Sequence, residues 1–159
     1  MNKNLYRGKQ LITKLWVEGY HVVAEGQHYI SLPLDIVSAA KIEYQDSTVE
    51  EKQHIELATL APFLEVIPET VGQCTGKLDK NKKKIYDGDI IKISGHSNYY
   101  AIVEYDESCG CYYAVNYEVQ IPAPLGNLKS EFIEVAGNIY DDEELMNVRY
   151  KWWRSKDGR

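Results

Sequence analysis

The sequence predicts a mainly β protein in two parts. An antiparallel meander is expected over about residues 1–61, and a second β subdomain over about 62–159 that ends in a short helix. Three observations carry this. Tyrosine occurs thirteen times and phenylalanine twice, and tyrosine suits strands and half-wet sheet faces. Short apolar runs alternate at period two, the mark of half-buried strands. Glycine, aspartate and asparagine cluster between those runs, where hairpins would turn.

A chain of 159 residues hides roughly 68–70% of its unfolded surface on folding, so its core needs no staples. Apolar residues at 44% and charged residues at 26% argue against overall disorder. The net charge of −6 does not favour a general nucleic-acid binder, but a local basic patch can still act. Three cysteines form no secretory framework and suggest free thiols. No stretch reaches the ~20 apolar residues of a membrane span. These features predict a soluble cytoplasmic protein.

The elements follow in order. Leu15, Val17 and Gly19 alternate against Trp16 and Glu18 as a strand that runs on through His21-Val22-Val23. Glu25-Gly26-Gln27 is a turn, and His28 to Leu32 a returning strand that Pro33 ends. Ile36-Val37 and Ile42-Glu43-Tyr44 read as short strands. Residues 48–61 admit two readings. Ser47 with Glu50 fits a helix capping box, whereas Ile55, Leu57 and Thr59 alternate as a strand does. Pro62 stops either element and marks the boundary between subdomains.

Residues 63–67 read as a strand, and Pro68 and Gly72 punctuate it. A strand to Leu78, a lysine-rich tip and a returning strand at Ile85-Tyr86 follow. Asp79 and Asn81 at the tip can bond their own backbone. Asp87-Gly88-Asp89 turns tightly into Ile90-Ile91-Lys92-Ile93, and Ala101 to Tyr105 follows as a partner strand. That succession looks like the opening of an SH3-like small barrel. Asp106 to Gly110 is a second hairpin turn, and Cys111 to Val119 returns with Tyr113, Val115 and Tyr117 on one face. Phe132 to Tyr140 closes the sheet, and Asp141 is placed to cap a helix holding Leu145, Met146 and Val148.

The stretch Pro68-Glu69-Thr70-Val71-Gly72-Gln73-Cys74-Thr75-Gly76 through Ile85-Tyr86-Asp87-Gly88-Asp89-Ile90 resembles the signature of the YopX-like family of bacteriophage and prophage proteins, close to PETVGQ-TG-DKNGK-IYEGDI. Leu5 to Lys9, Trp16 to Tyr20 and His28 to Ile30 look like the family's N-terminal pattern. Ile133 to Tyr140 with Glu144-Leu145 looks like its closing EVIGNIYENPELL. Lys82 stands where the family usually has glycine, Cys74 where it has an aromatic, and Ala136 where it has a larger aliphatic. The resemblance implies a phage or prophage origin, hence the host bacterial cytoplasm, and brings no established chemistry.

Several groups are candidates for function. Lys80, Lys82, Lys83 and Lys84, with Lys77, put positive charge on the 77–84 hairpin. Tyr86, Tyr99, Tyr100, Trp152 and Trp153 could stack on bases, as small β-barrels with basic loops do. The plainer reading is a solvated tip whose lysines discourage edge-to-edge pairing. Asp87 and Asp89 could hold a hard cation but fit a turn better. Cys109-Gly110-Cys111 is too short for a zinc knuckle, and a site would need Cys74 and a histidine such as His96 to converge. His21, His28, His54 and His96 follow no ligand spacing, and no phosphate loop or nucleophile motif is present. Trp152-Trp153 suits either docking onto the protein's own sheet or a partner surface.

The expectation is a non-enzymatic binding or adaptor protein, without cofactor or metal, acting on a host or phage protein and forming a homo-oligomer through free strand edges. The alternative is a nucleic-acid-binding module that uses the Lys77–Lys84 hairpin and nearby aromatics.

Overall fold

A computed structural model describes residues 4–32, 63–95, 99–118 and 121–145. The chain divides into two compact units, Asn4–Gly72 and Gln73–Arg159. Pro62, the strands expected at 36–44, the segment 48–61 and Trp152-Trp153 lie outside the described residues.

The first unit holds β1 (Tyr6–Lys9), β2 (Trp16–Ala24), β3 (Gln27–Ser31) and β4 (Phe63–Glu65). All pairings are antiparallel, in the order β4-β3-β2-β1. Ala24 pairs with Gln27, so the β2–β3 turn is Glu25-Gly26. Both residues have positive φ, 52° and 79°, which is the backbone of a type I′ turn and matches the twist of the strands. Beyond β4 the chain bonds on two sides. Val66 N–H donates to His28 O at 2.9 Å, and Ile67 N–H donates to Lys9 O at 2.8 Å. Thr70 joins this region, accepting from Lys9 N–H at 2.8 Å and donating to Ile67 O at 2.7 Å.

Among the described residues of this unit, Ile30 and Val66 are the fully buried apolar side chains, and Gly8 lies against Val66. Val17 and Gly19 alternate inward along β2 as expected and His21 continues the series, but Leu15 sits before the strand and is exposed. Trp16 is half-buried, with the Arg7 guanidinium 4.7 Å from its ring centroid.

The second unit contains a hairpin of β5 (Gly72–Leu78) and β6 (Lys84–Tyr86), and a sheet of β7 (Asp89–Ile93), β8 (Tyr99–Asp106), β9 (Cys111–Asn116), β10 (Ile121–Pro124) and β11 (Ile133–Asn138). The sheet is antiparallel in the order β10-β9-β8-β7-β11. Among the described residues no sheet is closed, and the expected SH3-like barrel is not confirmed. After β10, 3-10 turns at Leu125–Asn127 and Ser130–Phe132 carry the chain to the far edge, where β11 pairs with β7.

β7 lies between β8 and the edge strand β11, and both its faces are covered. Ile91 and Ile93 join Ile85, Val103, Ala114, Leu125, Ile133 and Val135 in the main core. Ile90 points the other way and packs with Ile102, Tyr117, Ile139 and Leu145. This explains why the neighbours Ile90 and Ile91 are both apolar although they face opposite ways. After β11, Asn138 Oδ1 accepts from Tyr140 and Asp141 N–H, and a 3-10 turn follows at Glu143–Leu145. Asp141 therefore lies within an asparagine-capped turn where a helix cap was expected. Met146, Val148 and the rest of the expected helix lie outside the described residues.

Candidate functional site

The lysine hairpin is built around one carboxylate. Asp79 is 3% exposed. Its Oδ1 accepts from Asn81 N–H and Lys83 N–H, both at 2.8 Å, and its Oδ2 accepts from Val135 N–H on β11 at 3.0 Å. Burial pushes this carboxyl up. The three amides and the Lys83 charge outweigh that and hold it below the ordinary carboxylate value. Lys80 N–H donates to Ile133 O, and its ammonium lies 2.6 Å from Glu134 Oε2. That contact holds the Glu134 carboxyl below its ordinary value. The tip is thus fastened to β11.

This geometry divides the predicted residues. Lys82 and Lys83 are exposed, Lys84 is half-buried, and Lys80 is in the ion pair. Tyr86 is 1% exposed, so its ring is core and offers no stacking surface. Tyr99 packs on the main core, while Tyr100 is exposed. Trp152 and Trp153 lie outside the described residues. Lys82 has φ 64°, a conformation that costs a non-glycine residue about 1 kcal/mol. Lys82→Gly is therefore expected to stabilise the protein by about 0.5–1 kcal/mol, read as a higher urea midpoint at unchanged slope.

Asp89 is fully buried, and its Oδ2 accepts from Tyr86 N–H at 2.8 Å. Asp87 N–H donates to Gln73 O at 3.0 Å. Both aspartates therefore build the turn into β7. Among the described residues, no group of three or more His, Cys, Asp or Glu side chains is placed to hold a metal. His54 and His96 lie outside the described residues.

Two contacts went unforeseen. His21 Nε2 lies 3.0 Å from His28 Nδ1, with the Tyr6 ring 5.2 Å from His21. The signal was the turn at 25–26: it sets Val23 opposite His28 and leaves His21 diagonal to it on the same face. Burial and then the His28 charge lower the His21 pKa from its ordinary 6.5. A lowered histidine resists protonation in the folded state, so stability is lost as pH falls through 6.5. Thermal melts from pH 7.5 to 5.5 are expected to show this loss, and His28→Gln to reduce it while the part due to burial remains.

The second contact is at the β8–β9 turn, where Cys109 Sγ and Cys111 Sγ are 3.0 Å apart. Cys109 is exposed, Cys111 half-buried, and Cys74 buried in β5. The hydrogen bond with Cys109 pushes the Cys111 thiol up. Tyr113, hydrogen-bonded to Cys109 and then Cys111, is pushed up to about 12.

The first unit also presents an apolar face. Tyr20, Ser31 and Phe63 are directly opposite one another across β2, β3 and β4, and Val22, Tyr29 and Glu65 form the next row. These rows share one side of the sheet, opposite the side that holds Ile30. On it Tyr20, Val22 and Phe63 are 44%, 36% and 49% exposed. Leu11, Ile12 and Leu15 in the β1–β2 connection are exposed too, Ile12 at 85%.

The architecture is that of a two-unit antiparallel β protein whose polar turns serve structure and whose first unit, among the described residues, exposes seven large apolar side chains against three in the second. A family model described as YopX protein matches residues 6–147. The chain belongs to the YopX family. No curated protein matches it. Among the described residues, no helix is long and apolar enough to cross a membrane.

Proposed function

We propose that this chain is a phage- or prophage-encoded, non-enzymatic binding or adaptor protein that docks a protein partner on the outward face of β2-β3-β4. The family membership supports the origin, and the host bacterial cytoplasm is the setting that origin implies. The exposed Tyr20–Phe63 row carries the docking reading. Within the described residues, the first unit has seven exposed large apolar side chains against two fully buried ones, Ile30 and Val66. Of the seven, Tyr20, Val22 and Phe63 share this face, and apolar side chains gathered with polar groups among them are the composition of an interaction site. A second copy of the chain is one protein that could fill it, as a homo-oligomer.

Tyr20→Thr/Val22→Thr/Phe63→Thr removes the apolar area and keeps strand-forming residues. Immobilised wild type is expected to retain a defined protein that the triple variant releases, with Lys82→Glu/Lys83→Glu behaving as wild type. Light scattering on the same proteins tells whether the retained partner is a second copy. Retention by both wild type and the triple variant would refute the docking face. The nucleic-acid reading keeps one favourable observation, the exposure of Lys82 and Lys83. It predicts salt-sensitive binding to single strands that the Lys82→Glu/Lys83→Glu variant abolishes.

A further inference from the structure

We propose that Cys109 and Cys111 form a reversible intramolecular disulfide at the tip of the β8–β9 hairpin, exchanging electrons with a low-molecular-weight thiol–disulfide couple. The two residues flank Gly110, whose φ is +66°. In a regular strand, alternate residues share a side, but their sulfurs stay well apart. The left-handed glycine folds the backbone back between them and brings the sulfurs to 3.0 Å, about 1 Å from the bonded distance. A residue with a Cβ would adopt that φ only with strain.

The rest of the turn is held independently of the sulfurs. Gly110 N–H donates to Asp106 O at 2.8 Å. Asp106 Oδ1 accepts from Ser108 N–H at 2.9 Å and from Ser108 Oγ–H at 2.6 Å. The thiols are therefore presented together on a pre-formed scaffold. Cys109 is the exposed member and Cys111 is half-buried, so access favours attack through Cys109.

The exchange balances as follows. The Cys109 thiolate attacks one sulfur of an oxidised small disulfide, such as oxidised glutathione. The S–S bond of that molecule breaks, one thiolate leaves, and a mixed disulfide forms on Cys109. Cys111 loses its proton to solvent and attacks Cys109 Sγ, releasing the second small thiolate. Two protein thiols are oxidised to one disulfide, and one small disulfide is reduced to two thiols. Cys74, buried at 2% exposure, takes no part.

The test equilibrates the pure chain in glutathione buffers of stepped ratio, then alkylates under denaturing conditions and measures intact mass. Of the three cysteines, all are expected to be tagged in reduced buffer. One tag is expected in oxidising buffer, with peptide mapping placing it on Cys74, and dithiothreitol should restore three. Cys111→Ser should leave a glutathione adduct on Cys109 that outlasts the wild-type adduct by at least about tenfold. Three outcomes would overturn the proposal: tagging of all three cysteines throughout, stable glutathione on wild-type Cys109, or interchain dimers on a non-reducing gel.

Discussion

Asp79→Ala is expected to destabilise the chain by about 3–5 kcal/mol, a large share of the ~5–15 kcal/mol that holds a typical domain together. The carboxylate accepts three backbone amides, and bonds to a charged acceptor contribute about 1.5–3 kcal/mol each. Water can reach Asn81 and Lys83 at the exposed tip, so not all of that is lost. The Val135 amide is buried against Asp79, and it would be left without its acceptor. Asp79→Asn should cost nearly as much, because only one of its two side-chain groups can accept. The sign with pH follows from the depressed carboxyl. Its contribution is present above the ordinary value of 3.8 and is lost as pH falls through the depressed one. Urea midpoints from pH 7 to 2 check both statements: wild type should show a steeper acid-side decline than Asp79→Ala, whose remaining decline comes from carboxylates such as Glu134. Loss of less than about 1 kcal/mol would mean the tip is not fastened to β11 as described.

The second large effect is at Gly19. A Cβ there would lie 2.0 Å from the Ser31 carbonyl oxygen and 2.9 Å from Ile30 Cγ2. The oxygen is backbone and cannot move without parting β2 from β3, so the cost exceeds the ~1–3 kcal/mol of ordinary overpacking. Gly19→Val is expected to unfold the first unit, seen as rapid hydrogen exchange over residues 16–31 and early proteolysis there. Gly26→Ala is the matched control. Gly26 has φ +79° and nothing within 4 Å of its would-be Cβ, so only the conformational cost of about 1 kcal/mol applies. Equal melting of the two variants would contradict the β2–β3 register.

Local structure was legible in the sequence wherever a turn residue and an alternating run coincide. Glu25-Gly26 marks the β2–β3 hairpin, Asp87-Gly88-Asp89 marks the turn into β7, and Tyr113 with Val115 share a side of β9. The lysine at position 82 announced its positive φ through its departure from the family's glycine. What failed to show were pairings between distant residues. Nothing near Asp79 tells that its second oxygen meets Val135, 56 residues away. Nothing in the strands themselves tells that β11 joins β7 at the opposite edge from β10, so a barrel was expected where no sheet is closed among the described residues. Tyr86 reads as a stacking ring by composition and is core by position. Of the candidate site, the lysines were legible and their ion pair was not. The apolar row of Tyr20 and Phe63 depends on the β3–β4 register, which spans a long intervening segment.

The docking face is tested most directly by affinity. The protein retained by immobilised wild type would be identified, purified and titrated calorimetrically against wild type and Tyr20→Thr/Val22→Thr/Phe63→Thr at two salt concentrations. The account predicts binding with a negative heat-capacity change, little salt dependence, and at least a tenfold weakening in the variant, about 1.4 kcal/mol or more. Equal affinity for the two chains, or binding that collapses with salt and with Lys82→Glu/Lys83→Glu, would contradict it.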